Sequence, residues 1–298
     1  MDGTALEKLK QAFRGELLCN EPLARHISLK VGGPADLFAV PVDKDDLQEL
    51  LRILEENKTP WFIIGGGYNL LVKDDGFRGA AVSLKNLNRL ELSGQEIYAE
   101  AGASNQALAY FARDNNLSGL EFLAGIPGSV GGALCMNAGA HGVEIFDLVS
   151  VVEMFNNGKT VKYLKNTLNY GYRRLQVSSN EFIIAANFRL TKASRDTITA
   201  GMENCLLARR QTQTVGFPNA GSFFKNPPGL AAWRLIDESR LRGRSCGGAQ
   251  VSEVHSNFLV NCGNATADNF LQLAAIIKER VLETSGVRLE EEVKIIGD

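Results

Sequence analysis

Apolar and polar positions alternate along the chain in two periods, one helical and one strand-like. Leu47, Leu50, Leu51 and Leu54 recur at helical spacing and predict a helix over 45–57. The apolar run Trp61, Phe62, Ile63, Ile64 stops at Gly65, Gly66 and Gly67, as a buried strand does on entering a tight loop. A second strand is expected at 80–84. Ser104 is placed to cap a helix reaching 116, with Leu108, Phe111 and Ala112 on one face. Asn156, Asn157 and Gly158 lie between two strand-like runs and predict a hairpin turn. A strand at 182–190 and a long helix at 195–212 follow.

Beyond that helix the pattern changes. A polar loop with glycine and proline is expected over 216–229, then a short helix at 231–239 and a strand at 258–260. The stripe Phe270, Leu273, Ala274, Ile277 and Val281 marks an amphipathic helix over 267–284, and a strand closes the chain at 292–296. No repeat is visible. The interleaved order predicts an α+β fold rather than regular βαβ alternation.

Composition narrows the function. The chain has 298 residues, enough for two or three compact units, with 45% apolar and 22% charged residues. A net charge of −2 gives no reason to expect a nucleic-acid or membrane partner. No apolar run is long enough to span a bilayer, and 1–14 reads as a charged helix without the features of a secretory leader. The five cysteines are scattered and the chain has three histidines, so no metal site is expected. Idle thiols and a cytoplasmic location are expected instead.

Two glycine loops carry the first chemical signal. Gly65, Gly66, Gly67, Tyr68, Asn69 and Leu70 follow an apolar strand. Gly125, Ile126, Pro127, Gly128, Ser129, Val130, Gly131 and Gly132 form the second loop, about 60 residues on. Glycine lets a ligand approach the main chain, where successive N–H groups can cradle a phosphate. A dinucleotide fingerprint of the G-x-G-x-x-G kind fails, since Leu70 stands where its third glycine belongs. With this composition, the second loop is expected to be neither helix interior nor regular strand. A plain turn or a close glycine packing explains either loop taken alone.

From about Arg25 to Gly297 the chain resembles the UDP-N-acetylenolpyruvoylglucosamine reductase family. The resemblance rests on Val31-Gly32-Gly33-Pro34-Ala35, both glycine loops, Tyr172-Arg173, the segment Ala220-Gly221-Ser222-Phe223-Phe224-Lys225-Asn226-Pro227, Gly248-Ala249-Gln250-Val251-Ser252 and Leu289-Glu290-Glu291-Glu292-Val293. Their order, together with the segment around Ser222, is what makes it specific. The chain is similar to the shorter subtype.

The resemblance implies an FAD-binding domain of the vanillyl-alcohol-oxidase type over 1–195, in two subdomains divided near 85–90. It implies an α+β substrate-binding domain over 196–298, whose final strand returns to the active site. It implies non-covalent FAD, NADPH as co-substrate, and a monomer. FAD would lie on Gly65, Gly66, Gly67, Tyr68, Asn69, Leu70, Pro127, Gly128, Ser129, Gly131 and Gly132. The family's catalytic positions fall on Arg173, Ser222 and Glu292: a carboxylate-gripping cation, a proton donor and an acid that polarises the substrate. Tyr172, Lys225, Asn226 and His255 are expected to meet the substrate. Tyr68 and Leu175 replace serines frequent in the family, and Thr214 replaces a common proline. Another FAD oxidoreductase of the same fold, or a non-catalytic nucleotide-sugar binder, are the rival readings.

Overall fold

A computed structural model describes residues 3–156, 158–178 and 181–297. The chain forms two compact units, each assembled from separated stretches. The first contains Met1–Leu18, Leu37–Gly66 and Gly79–Arg209; the second contains Cys19–Asp36, Gly67–Arg78 and Arg210–Asp298. The 195/196 division expected from the sequence lies inside the first unit.

The first unit is built on a five-stranded antiparallel sheet in the order Lys159–Leu164, Val149–Asn156, Glu181–Arg189, Glu96–Glu100, Leu90–Ser93. Glu181–Arg189 is central and its middle is buried on both faces, which is why residues 182–186 are continuously apolar rather than alternating. Elsewhere Trp61–Ile64 runs parallel to Phe77–Ser83, pairing Trp61 with Ala80 and Ile64 with Ser83. The helix Lys44–Glu56 starts where the Asp43 carboxylate accepts the Asp46 N–H, and it buries Leu47, Leu50, Leu51 and Leu54 as its spacing predicts. The helix Asn105–Asp114 is capped by Ser104, whose Oγ accepts the Ala107 N–H at 3.0 Å. The strands Val149–Asn156 and Lys159–Leu164 form the expected hairpin; Asn157 of its turn lies outside the described residues.

In the second unit a four-stranded antiparallel sheet runs Asn219–Ser222, Phe258–Asn261, Ala249–Val251, Ser245–Cys246. The helix Ala267–Ser285 packs against two of these strands and against the helix Ala232–Glu238. Its first N–H groups are all answered. Asp74 accepts from Ala267 and Asp268 at 2.8 and 2.9 Å, and Thr266 Oγ1 accepts from Asn269 at 3.2 Å. Gly286, at φ +71°, ends the helix in the left-handed conformation. The last strand, Lys294–Ile296, runs parallel to Leu70–Val72.

Two expectations are corrected. The polar stretch expected as a loop from 216 contains the strand Asn219–Ser222, because Phe258–Asn261 offers it a partner. The second glycine loop runs into a short helix, Val130–Cys135, that includes Gly131 and Gly132. Helix propensity is overridden there by packing: a Cβ on Gly131 would lie 2.9 Å from the Ala101 Cβ and 3.2 Å from its carbonyl oxygen.

Candidate active site

In the first unit the structure brings Gly65 against the second glycine loop. A Cβ on Gly65 would lie 2.6 Å from Ser129 Oγ, so any larger residue would displace that hydroxyl. Ser129 is buried, and its Oγ accepts the Gly132 N–H at 3.3 Å, capping the helix that follows. Gly128 holds φ at +118°. The loop is stitched to the 101–105 segment: Val130 N–H to the Ala103 carbonyl at 2.8 Å, Gly131 N–H to that of Ala101 at 2.9 Å, and Asn105 N–H to that of Gly128 at 3.0 Å. Gly128, Ser129, Gly131 and Gly132 therefore form a braced surface of small residues, with Gly65 against it. With the N–H groups of Val130, Gly131 and Gly132 engaged within the protein, those of Gly128 and Ser129 are the main-chain donors of this surface that a pyrophosphate would meet, and the residues present fit FAD.

Tyr172 and Arg173 occupy the tip of a tight hairpin in which Tyr170 pairs with Leu175 and Gly171 with Arg174. Arg173 holds φ at +55°, a left-handed conformation uncommon outside glycine. Its Nη2 donates to the Gly139 carbonyl at 3.3 Å, and its guanidinium lies 5.2 Å from the Tyr172 ring centroid. Tyr172 itself is exposed. The hairpin is anchored by Asn137, which is fully buried. Asn137 Nδ2 donates to Gly171 O at 3.1 Å and to Glu144 Oε2 at 2.6 Å, while its Oδ1 accepts the Phe146 N–H at 3.3 Å. Sequence reading passed over Asn137; the signal was a lone amide in a run of small apolar residues.

In the second unit the segment around Ser222 is held with unusual completeness. Asn219 Oδ1 accepts the Gly221 N–H at 3.0 Å, Gly221 holds φ at +74°, and the pairing register shifts between Asn219 and Ser222. Such a bulge re-aims the side chain after it. Phe223 and Phe224 are then both fully buried. Asn257, also buried, clamps them: its carbonyl accepts the Phe223 N–H at 2.7 Å, its Oδ1 accepts the Phe224 N–H at 3.0 Å, and its Nδ2 donates to Phe224 O at 2.8 Å. Asn257 was also missed from sequence, although it stands two residues past His255.

The same segment gathers Glu292. The Glu292 N–H donates to the Phe223 carbonyl at 2.8 Å, and the Lys225 N–H to that of Glu290 at 2.9 Å. Asn69 of the first glycine loop joins them, its Nδ2 donating to the Glu292 carbonyl at 3.1 Å. Ser222, Lys225, Glu292 and Asn69 thus sit on one locally braced framework. Gly67, at φ +69°, turns the chain into Tyr68 and Asn69, and a Cβ there would lie 2.3 Å from the His26 carbonyl oxygen. Tyr68 is exposed, and Leu70 begins the strand paired with Lys294–Ile296.

Two of the remaining expected contacts, Lys225 and Asn226, are already engaged. Lys225 Nζ lies 3.3 Å from Glu290, an exposed pair, and Asn226 Oδ1 accepts the Ala232 N–H at 3.0 Å. His255 is half-buried, 4.5 Å from the Phe258 ring centroid, and its Nδ1 is buried without a hydrogen-bond partner. Burial first, and then the nearby Arg242 charge, lower its pKa. Among the described residues no cluster could hold a metal ion, and no helix is long and apolar enough to cross a membrane.

Comparison with known proteins decides the family. The chain is 54% identical to the UDP-N-acetylenolpyruvoylglucosamine reductase of Trichlorobacter lovleyi over 98% of its length and 96% of that protein's. It belongs to the UDP-N-acetylenolpyruvoylglucosamine reductase family. The reductase of Geobacter metallireducens is 52% identical over the whole of both chains. Residues 212–296 match the C-terminal domain model of this reductase, and 35–163 match an FAD-binding domain model. The crystal structure of the Thermus caldophilus reductase superposes with a TM-score of 0.81 at 33% identity, covering 95% of this chain and 99% of that one. The reductase-family chain is therefore an α+β flavoprotein oxidoreductase with FAD as its cofactor.

Proposed function

We propose that the protein reduces the enolpyruvyl group of UDP-N-acetylenolpyruvoylglucosamine to the lactyl ether of UDP-N-acetylmuramate, with NADPH as reductant, in the synthesis of peptidoglycan precursors. The observation that carries this reading is the join between the Ser222 segment and Glu292, made through the Phe223 carbonyl at 2.8 Å in a chain of this family. Bound FAD supplies hydride transfer, from NADPH and on to the methylene carbon of the enol ether. The neighbouring carbon then needs a proton, and Ser222 Oγ donates it, regaining its own from water. Glu292 polarises the carboxylate end of the substrate. Arg173 grips that carboxylate and offsets the charge that develops on it. Gly65, Gly66, Gly67, Tyr68, Asn69, Leu70, Pro127, Gly128, Ser129, Gly131 and Gly132 receive FAD; Tyr172, Lys225, Asn226 and His255 contact the nucleotide sugar. The protein acts as a cytoplasmic monomer.

The test is a visible spectrum of the purified protein, read anaerobically. NADPH should bleach the flavin band, and UDP-N-acetylenolpyruvoylglucosamine should restore it. A flavin that bleaches and ignores this substrate would move the activity to another oxidation. Ser222→Ala should bleach normally and recover about a hundredfold or more slowly, the usual scale of a lost general acid. Equal recovery rates would remove Ser222 from its role.

A further inference from the structure

The long helix Arg195–Gln213 lays Gly201, Cys205 and Arg209, four residues apart, along one stripe against the turn that opens the second glycine loop. A Cβ on Gly201 would lie 3.1 Å from Glu121 Cγ. A Cβ on Gly125 would lie 3.7 Å from the Cys205 carbonyl oxygen and 3.8 Å from Arg209 Cδ. The Arg209 stem therefore touches the loop at its first glycine.

Its charge is unanswered. Among the described residues Arg209 makes no side-chain hydrogen bond and no ion pair. Glu121, the acid on the facing turn, is already engaged: it accepts the Ser118 hydroxyl at 2.7 Å and the Gly119 N–H at 2.8 Å. Burial alone pulls the Arg209 guanidinium below its ordinary pKa, with no opposing charge to hold it up. A desolvated cation without a counter-charge is costly to keep unless an anion arrives to complete it. A planar guanidinium is suited to two oxygens of one phosphate.

We infer that Arg209 is a phosphate-binding residue, completing the glycine loop Gly125–Ser129 with the positive charge that the loop itself lacks. The inference rests on the reading of that loop as a phosphate cradle. Three sources offer the same chemistry: the pyrophosphate of FAD, a phosphate of NADPH and a phosphate of the UDP-sugar.

The experiment titrates the full-length apoprotein with FAD, following flavin fluorescence, for wild type, Arg209→Gln and Arg209→Lys. Loss of a charge-assisted pair should weaken FAD binding about tenfold or more in Arg209→Gln, with lysine recovering part of it. Unchanged FAD binding with a comparable rise in KM for NADPH or for the UDP-sugar assigns the cation to that nucleotide instead. Melting of the apoprotein separates binding from structure. Removing an uncompensated half-buried cation should leave Tm level or raised, and inorganic pyrophosphate should stabilise wild type but not Arg209→Gln. A lowered apoprotein Tm with all three nucleotides bound normally overturns the inference. Gly128→Ala reports on the loop alone: normal FAD binding there sinks the cradle reading, whereas lost FAD binding beside an Arg209→Gln with every phosphate ligand intact sinks only the role of Arg209.

Discussion

Ser222 is set by its neighbours more than by itself. Asn257 supplies three of the hydrogen bonds that fix the two phenylalanines following it, two of them from its side chain. Asn257→Ala leaves the buried N–H and C=O of Phe224 without that side chain, a loss of about 2–4 kcal/mol. We expect a lowered midpoint in urea and, in the fraction that folds, slow flavin reoxidation with normal bleaching by NADPH. His255 makes a separate prediction through pH. Its folded pKa lies below the unfolded value of about 6.5, so the unfolded chain takes up the proton first. Stability is then full above pH 6.5 and falls as the pH drops from there to the folded pKa. Arg242, which lowers this pKa, and Asp237, which raises it, shape the same titration. His255→Gln should flatten that stretch of a urea-midpoint profile; an unchanged slope would show that other groups cause it. At this scale the sequence was readable for the family, through motifs such as the one around Ser222. It was weakest where one amide satisfies distant backbone: Asn137 is marked only by standing alone among small apolar residues, and nothing local marks Asn257.

Elements read from periodicity survived where burial follows one face. The helices at Lys44–Glu56 and Ala267–Ser285 carry their apolar stripes inward as the spacing requires. Strand Asn219–Ser222 escaped because its pattern is broken by the bulge that serves the site, and helix Val130–Cys135 because glycine is there for close approach. Gly221 and Gly67 make predictions of different size from similar φ angles of +74° and +69°. Nothing lies within 4 Å of a Cβ at Gly221, whereas at Gly67 the His26 carbonyl oxygen stands at 2.3 Å. Gly221→Ala should therefore cost only the left-handed conformation, roughly 1–2 kcal/mol, while slowing reoxidation by turning Ser222. Gly67→Ala adds a backbone collision and should lower Tm well below that of Gly221→Ala. Thermal melts of the pair decide it, and equal losses would show that local space does not matter.

Contiguous sequence is a poor guide to what folds as one body. The match to a C-terminal domain covers 212–296, yet the second unit also takes in Cys19–Asp36 and Gly67–Arg78. Those stretches are structural parts of it. Among the described residues Leu70–Val72 is the only strand paired with Lys294–Ile296. Asp74 answers two N–H groups of the helix Ala267–Ser285, and Asn261 Nδ2 donates to the Leu29 carbonyl at 3.1 Å. Removing them strips the long helix of its carboxylate cap and leaves a lone strand edge beside Glu292, the position on which the proposed chemistry depends. A fragment of residues 210–298 should therefore lack a cooperative melt by circular dichroism. Asp74→Ala in the intact chain should lose about 1–2 kcal/mol, the usual worth of a helix cap. A fragment that melts sharply at the temperature of the full chain would show that the C-terminal stretch folds by itself and that the earlier segments merely lie on it. The expected failure would mean that Glu292 is held in place by residues more than 200 positions earlier, as its 3.1 Å bond from Asn69 already requires.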